Sequence, residues 1–330
     1  MKIVYPEKLK NGDTIRVIAP SQSMAIISQE TKKIANKRFF ELGLELSFGK
    51  NIDERDDFNS SSIESRVQDI HDAFLDKKVK AIITAIGGFN TNQLLRYLDW
   101  GIIRNNPKIL CGFSDITILN NAILQKTGLA TYYGPHYSSF GQELYFDYTL
   151  EYFKKCLMQI EPFKIIPSNQ WSDDEWYKDQ QNRKLIKNSG WQVINEGRAR
   201  GIVIGGNLCT LSLLQGTEYF PETKNTILFI EDDELTGDFS AVEFDRDLQS
   251  IIHQPQFNNI SGIVIGRFQK ASKMTPEKIK QTIKSKKELE KIPVIAGVDF
   301  GHTEPKITIP IGGKVDIIAG ELSRIKFIEH

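Results

Sequence analysis

Between residues 14 and 128, short apolar runs alternate with longer stretches whose apolar residues recur at helical spacing. That alternation restricts the chain to few folds. Thr14-Ile15-Arg16-Val17-Ile18-Ala19 is strand-like and is halted by Pro20 and Ser21. Residues 27–44 carry a helical period ending at Gly43, and residues 61–74 read as a second helix with Ser62 and Glu64 near its start. Residues 79–86 form a strand stopped by Gly87-Gly88; residues 92–98 a short helix; residues 108–112 another strand; residues 114–125 a helix closed by Gly128. Apolar strands separated by amphipathic helices are covered on both faces, so the spacing predicts βα units on a parallel sheet. Ligands of such sheets collect beyond the carboxyl ends of the strands, where Gly87-Gly88 and Gly112 to Asp115 both fall.

The second half has a different texture. Residues 168–200 are polar and aromatic, with Trp171, Trp176, Tyr177 and Trp191 among many charges. Strand-like runs follow at 201–205, 226–230, 260–265 and 293–298, and helix-like segments at 208–214, 241–252 and 276–286. Residues 306–327 alternate apolar and polar around a turn at Gly312-Gly313. The pattern predicts an N-terminal α/β domain over residues 1–165 and a mixed-sheet β/α domain with fewer helices over residues 166–330.

Composition narrows the function classes. Forty-two basic residues balance forty-two acidic ones, so no global field points to a nucleic acid polymer or an anionic membrane. The N-terminus has no apolar signal core and no apolar run approaches membrane-spanning length, so a cytoplasmic protein is expected. Cys111, Cys156 and Cys209 are odd in number and widely spaced, which reads as buried thiols.

Three stretches carry candidate chemistry. Gly112-Phe113-Ser114-Asp115 joins a strand to a helix, Ile230-Glu231-Asp232 ends an apolar run, and Gly301-His302-Thr303 follows another. They supply the hydroxyl, carboxylate and imidazole with which a serine is activated. Each has a plainer reading. Ser114 at a helix start is also an N-cap, and Ile116 replaces the second glycine of a G-x-S-x-G elbow. Glu231-Asp232-Asp233-Glu234 also reads as a solvated loop, and no histidine stands at metal-ligand spacing from it. Of five histidines, His136 in Tyr133-Gly134-Pro135-His136 competes with His302 as a base, being near the same sheet edge. Backbone N–H groups at the start of the helix, and at Gly87-Gly88, suit an oxyanion.

At these residues the chain resembles the LD-carboxypeptidase family of serine peptidases, and within it the microcin-immunity (MccF-type) subgroup. The resemblance runs through Gly12-Asp13-Thr14-Ile15 and Ala19-Pro20-Ser21, and through Gly87-Gly88 to Leu94-Leu95-Arg96-Tyr97-Leu98-Asp99, where Arg96 replaces a usual proline. It continues in Gly112-Phe113-Ser114-Asp115-Ile116-Thr117, Gly205-Gly206-Asn207-Leu208, Leu228-Phe229-Ile230-Glu231-Asp232, and Gly301-His302-Thr303-Glu304-Pro305 with Pro310-Ile311-Gly312. It implies a flavodoxin-like or amidotransferase-like parallel sheet followed by a swivelling β/α domain. It implies Ser114 as nucleophile, His302 as general base, Glu231 orienting the imidazole, and an oxyanion hole from the N–H groups of Gly88 and Asp115. It implies no metal and no cofactor, and a homodimer.

For substrate, the resemblance implies an amide near a C-terminus, in a small peptide or peptidyl-nucleotide. MccF-type members cleave aspartyl-nucleotidyl amides, detoxifying an antibiotic; other members release D-alanine from murein tetrapeptide. Trp171, Trp176 and Trp191 resemble the MccF-type insertion, and such indoles can stack on a nucleobase; the plainer reading has them closing the domain interface. A non-catalytic two-lobed protein binding a small ligand is the alternative from another class.

Overall fold

The computed structural model describes residues 2–255 and 257–330. Its first half builds β1 (Thr14–Ile18), β2 (Glu45–Phe48), β3 (Val79–Thr84), β4 (Ile109–Cys111) and β5 (Thr131–Tyr133), with helices α1 (Gln29–Glu41), α2 (Ile63–Leu75), α3 (Trp100–Asn105), α4 (Thr117–Thr127) and α5 (Asp147–Leu157). The strands pair in parallel in the order β2-β1-β3-β4-β5, the flavodoxin-like order. Local chemistry marks the helix ends. Ser28, Ser62 and Asp99 each accept a backbone N–H as N-caps, and Gly128 closes α4 at φ 78°. Strand order switches between β1 and β3, and there Gln22 N–H donates to the Gly87 carbonyl, holding the two loops side by side at 3.1 Å.

The expected helix over residues 92–98 is only a 3₁₀ turn, Thr91–Leu94. The Asp115 carboxylate accepts the N–H groups of Asn90 and Thr91 at the start of this turn, and Asp99, just beyond the segment, caps α3.

The second half supplies β6 (Phe163–Lys164), β7 (Gln170–Trp171), β8 (Ile186–Lys187), β9 (Gln192–Asn195), β10 (Gly197–Asn207), β11 (Thr226–Glu231), β12 (Ile260–Gly266), β13 (Val294–Val298), β14 (Ile309–Ile311), β15 (Lys314–Ala319) and β16 (Arg324–Glu329). Its helices are α6 (Leu208–Ser212), α7 (Ser240–Ile252) and α8 (Pro276–Lys284). Eight strands form a mixed sheet ordered β6-β16-β15-β10-β11-β12-β13-β9, parallel from β10 to β13 and antiparallel toward both edges. β7 and β8 make a separate small ribbon. Among the described residues no helix is long and apolar enough to cross a membrane.

Two features tie the lobes together. β14 returns to the first sheet, where Ile309 and Ile311 pair antiparallel with Tyr133 and Thr131 of β5. A single cut near residue 165 therefore does not separate the sheets. Gly312-Gly313 is a turn as expected, and it carries the chain from β14 in one sheet to β15 in the other, while the hairpin lies between β15 and β16. The second tie is Asn121 on α4, whose amide donates to the Gly205 carbonyl at 2.8 Å and accepts the Gly205 N–H at 3.1 Å. Next to it, a Cβ on Gly206 would stand 2.5 Å from Thr117 Oγ1, at φ 134°, so only glycine allows α4 and β10 this close. β10 runs on through both glycines to Asn207, beyond the end that glycine punctuation suggests.

Candidate active site

Ser114 leaves β4 in a conformation few serines adopt. Phe113 is extended, and Ser114 then takes φ 58°, a left-handed state costing about 1–3 kcal/mol that surrounding contacts must hold. The chain turns into a 3₁₀ start, Ser114–Ile116, before α4. The Ser114 hydroxyl does not cap this helix. It meets His302 Nε2 at 3.1 Å, while the Ser114 N–H donates to the Tyr133 hydroxyl at 3.2 Å. Asp115, buried, accepts from Ser21 Oγ, from the N–H groups of Asn90 and Thr91 at 3.0 Å each, and from Thr91 Oγ1 at 2.6 Å. Those bonds lock the loop after β3, with Gly87 and Gly88, against the serine turn.

Glu231 is the last residue of β11 and fully buried. Its Oε2 accepts from His302 Nδ1 at 2.8 Å, and its Oε1 accepts from the Tyr133 hydroxyl at 2.6 Å. Because an ionised carboxylate only accepts, the imidazole proton sits on Nδ1 and Nε2 turns its lone pair toward Ser114. Gly301 makes room: at φ 98°, a Cβ there would fall 2.4 Å from Glu231 Oε2. Burial opposes charge on both partners, yet their mutual attraction wins. Against that burial, His302 and the bonds donated by His302, Tyr133 and Asn207 hold the Glu231 carboxyl below its usual range. Likewise Glu231 raises His302 above the ordinary 6.5 despite burial. Burial keeps the Tyr133 phenol, facing Glu231, far too basic to ionise, so it stays a donor.

A cleft of about 490 Å³ opens over this chain of bonds. Trp176 and Tyr177 form part of its wall, their rings edge to face. The other two tryptophans expected at the substrate, Trp171 and Trp191, lie elsewhere. Trp171, in β7, sits against Arg267 and Lys270 with the cations 5.1 and 5.8 Å from the ring centroid. Trp191 packs on the core just before β9, its indole N–H buried without an acceptor. Of the four consecutive acids, Glu231 alone reaches the imidazole. Asp232 turns back to Asn207, and burial with its acidic neighbours pushes its carboxyl up to about 8. Asp233 and Glu234 stand on the cleft wall. His136 also borders the cleft, its Nδ1 2.7 Å from Thr84 Oγ1, and burial drives it well toward the neutral form. Cys111 and Cys156 are buried but Cys209 is exposed, against the reading of three buried thiols. Among the described residues no cluster of three or more His, Cys, Asp or Glu could hold a metal ion.

Sequence reading passed over Tyr133, Glu304 and Lys306. Tyr133 ends β5 at the carboxyl edge of the parallel sheet, a strand the sequence reading did not assign. Glu304 and Lys306 had no signal beyond standing close to His302 in sequence, because the approach of Lys306 to Phe113 and His136, with Glu304 paired to it, is a tertiary matter.

Comparison with known proteins agrees with this architecture. The model of the LD-carboxypeptidase N-terminal domain matches residues 15–134, and that of the LD-carboxypeptidase C-terminal domain matches residues 200–317. The chain belongs to the LD-carboxypeptidase family. It is 54% identical to the putative carboxypeptidase YocD of Bacillus subtilis, over 99% of this chain and 100% of that one. Among solved structures, an MccF-like protein from Bacillus anthracis superposes with a TM-score of 0.98 at 53% identity, covering 99% of this chain and 100% of that one. The microcin C7 self-immunity protein MccF of Escherichia coli is 33% identical over 93% of this chain and 90% of its own. MccF in complex with aspartyl sulfamoyl adenosine superposes with a TM-score of 0.88 at 31% identity, covering 99% of both chains.

Proposed function

We propose that this chain is a serine-type carboxypeptidase or amidase whose preferred substrate, as for MccF, joins an acidic aminoacyl group to a nucleotide-like leaving group through an amide. The observation carrying the reading is the unbroken series Ser114–His302–Glu231, at 3.1 and 2.8 Å, on the floor of a cleft. His302 Nε2 takes the hydroxyl proton as Ser114 Oγ attacks the scissile carbonyl. The N–H groups of Gly88 and Asp115 face the developing oxyanion, and Glu231 stabilises the imidazolium. The C–N bond breaks as Nε2 returns its proton to the leaving nitrogen. Water, deprotonated by His302, then attacks the ester, releasing the free acid and restoring the serine. Tyr133 serves as a positioning residue, bridging the Ser114 N–H and Glu231.

Trp176 supports the nucleotide-like leaving group, because an indole on the cleft wall offers a face for a base. Such stacking is worth about 1–3 kcal/mol per base by alanine substitution. The test compares hydrolysis of aspartyl sulfamoyl adenosine with that of murein tetrapeptide, in wild type and in Trp176→Ala. The expected outcome is preference for the adenosine compound and a loss of roughly ten- to hundredfold on it alone. Equal losses on both compounds contradict stacking, and turnover of the tetrapeptide alone moves the enzyme to cell-wall recycling.

A further inference from the structure

The cleft holds a buried imidazole that the proposed hydrolysis does not use. His136 is 2% exposed, and its Nε2 is buried with no hydrogen-bond partner. Thr84 decides which nitrogen bears the proton. Its hydroxyl lies 2.7 Å from His136 Nδ1 but 3.5 Å from its other acceptor, the Cys111 carbonyl, too long for a good O–H···O bond. The hydroxyl therefore donates into Nδ1, and the ring's own proton is on Nε2, a buried neutral donor beside Gly87 and Ser114 at the margin of the cleft. Burial, with Lys306 and His302 nearby, keeps the ring uncharged.

Lys306 is the second part. Among the described residues lining the cleft it is the only lysine or arginine. Its ammonium lies 4.8 Å from the centroid of the Phe113 ring, which itself stacks on His136 at 4.3 Å. Glu304 Oε1 accepts from one of its three donors, and the Lys306 side chain is nearly buried, so a ligand would take a remaining donor at the margin of the cleft. Elsewhere the carboxylate-bearing residues on the wall are Asp173, Asp174, Glu175, Asp233 and Glu234. An anionic group entering the cleft is repelled on that side and has one place to settle. That place adjoins the serine, because the point where a Cβ on Gly87 would stand is 3.3 Å from both His136 Nε2 and Ser114 Oγ.

We propose that His136 Nε2–H and the Lys306 ammonium form a subsite for a carboxylate that the substrate carries within about one residue of the scissile amide. The inference rests on Ser114 being the nucleophile. The carboxylate has two possible sources: the side chain of an acidic acyl residue, or the free C-terminus of a peptide. Substrate pairs tell them apart. Aspartyl sulfamoyl adenosine is compared with its asparaginyl counterpart, and murein tetrapeptide with its C-terminal carboxamide, in wild type, Lys306→Met, His136→Leu and His136→Gln.

In wild type, one pair should show a preference for the carboxylate member of at least about tenfold in kcat/KM, carried mainly by KM. Lys306→Met and His136→Leu should collapse that preference, and His136→Gln, which keeps an N–H near the same point, should restore part of it. The pair that responds identifies the source. Equal kcat/KM for carboxylate and amide members of both pairs in wild type overturns the subsite without any mutation. So does a preference that survives unchanged in Lys306→Met. Fluorophosphonate labelling of Ser114, measured on the same proteins, should persist in Lys306→Met. Loss of labelling in wild type instead overturns the nucleophile reading beneath the proposal.

Discussion

At the scale of single residues, the charges of Glu231 and His302 depend on each other. Glu231 is fully buried and His302 partly so, where charge is costly, and each is charged more readily because the other is there. The sign follows for stability. The lowered Glu231 contributes stability that is lost as pH falls through its folded value. The raised His302 contributes stability that is lost as pH rises through its own, above 6.5. The pair therefore stabilises most between those two values. In the proposed mechanism the base is the neutral ring, so activity should climb with pH across the upper one. The acid limb of kcat/KM, measured on a substrate that does not titrate there, should have its midpoint above 6.5. A midpoint well below 6.5 would mean that burial, not Glu231, governs the ring. Sequence alone nominated Ser114, Glu231 and His302 but left His136 open as base. Only tertiary contacts distinguish them: His302 Nε2 meets the hydroxyl, whereas His136 spends one nitrogen on Thr84 and presents the other, unpaired, in the cleft wall.

At the scale of elements, three strands of the parallel sheet, β1, β3 and β4, were legible to within two residues, because apolar runs bounded by glycine and proline report burial on two faces; β2 and β5, short and without such punctuation, passed unread. What failed was set by partners distant in sequence. The segment after Gly88 had helical spacing, yet only a 3₁₀ turn follows the start that Asp115 anchors. Gly205 and Gly206 looked like a strand's end, yet they are where β10 passes close to α4. Asn121, mid-helix, carries that approach with two hydrogen bonds to one buried residue of the other sheet. Asn121→Ala should leave both Gly205 groups unpaired and cost about 2–4 kcal/mol of unfolding free energy. Urea denaturation monitors this; a loss under half a kcal/mol, roughly the floor for any hydrogen bond, would show that the contact is not holding the lobes.

At the scale of the whole molecule, serine comes from one sheet while glutamate and histidine come from the other. β14 and Asn121 set the two sheets in register, so the site exists only when both lobes are docked. Each half announced its own texture in the sequence, but the return of residues 309–311 to the first sheet did not, since three apolar residues carry no address. The tryptophan-rich insertion likewise signalled aromatic packing without saying that only Trp176 faces the cleft. The central claim is that docking activates one hydroxyl. Mass spectrometry after brief fluorophosphonate treatment of the folded protein reads it directly. One adduct per chain should appear on Ser114, and its formation should slow sharply in His302→Ala. No adduct on Ser114, or labelling at an unchanged rate in His302→Ala, would contradict it.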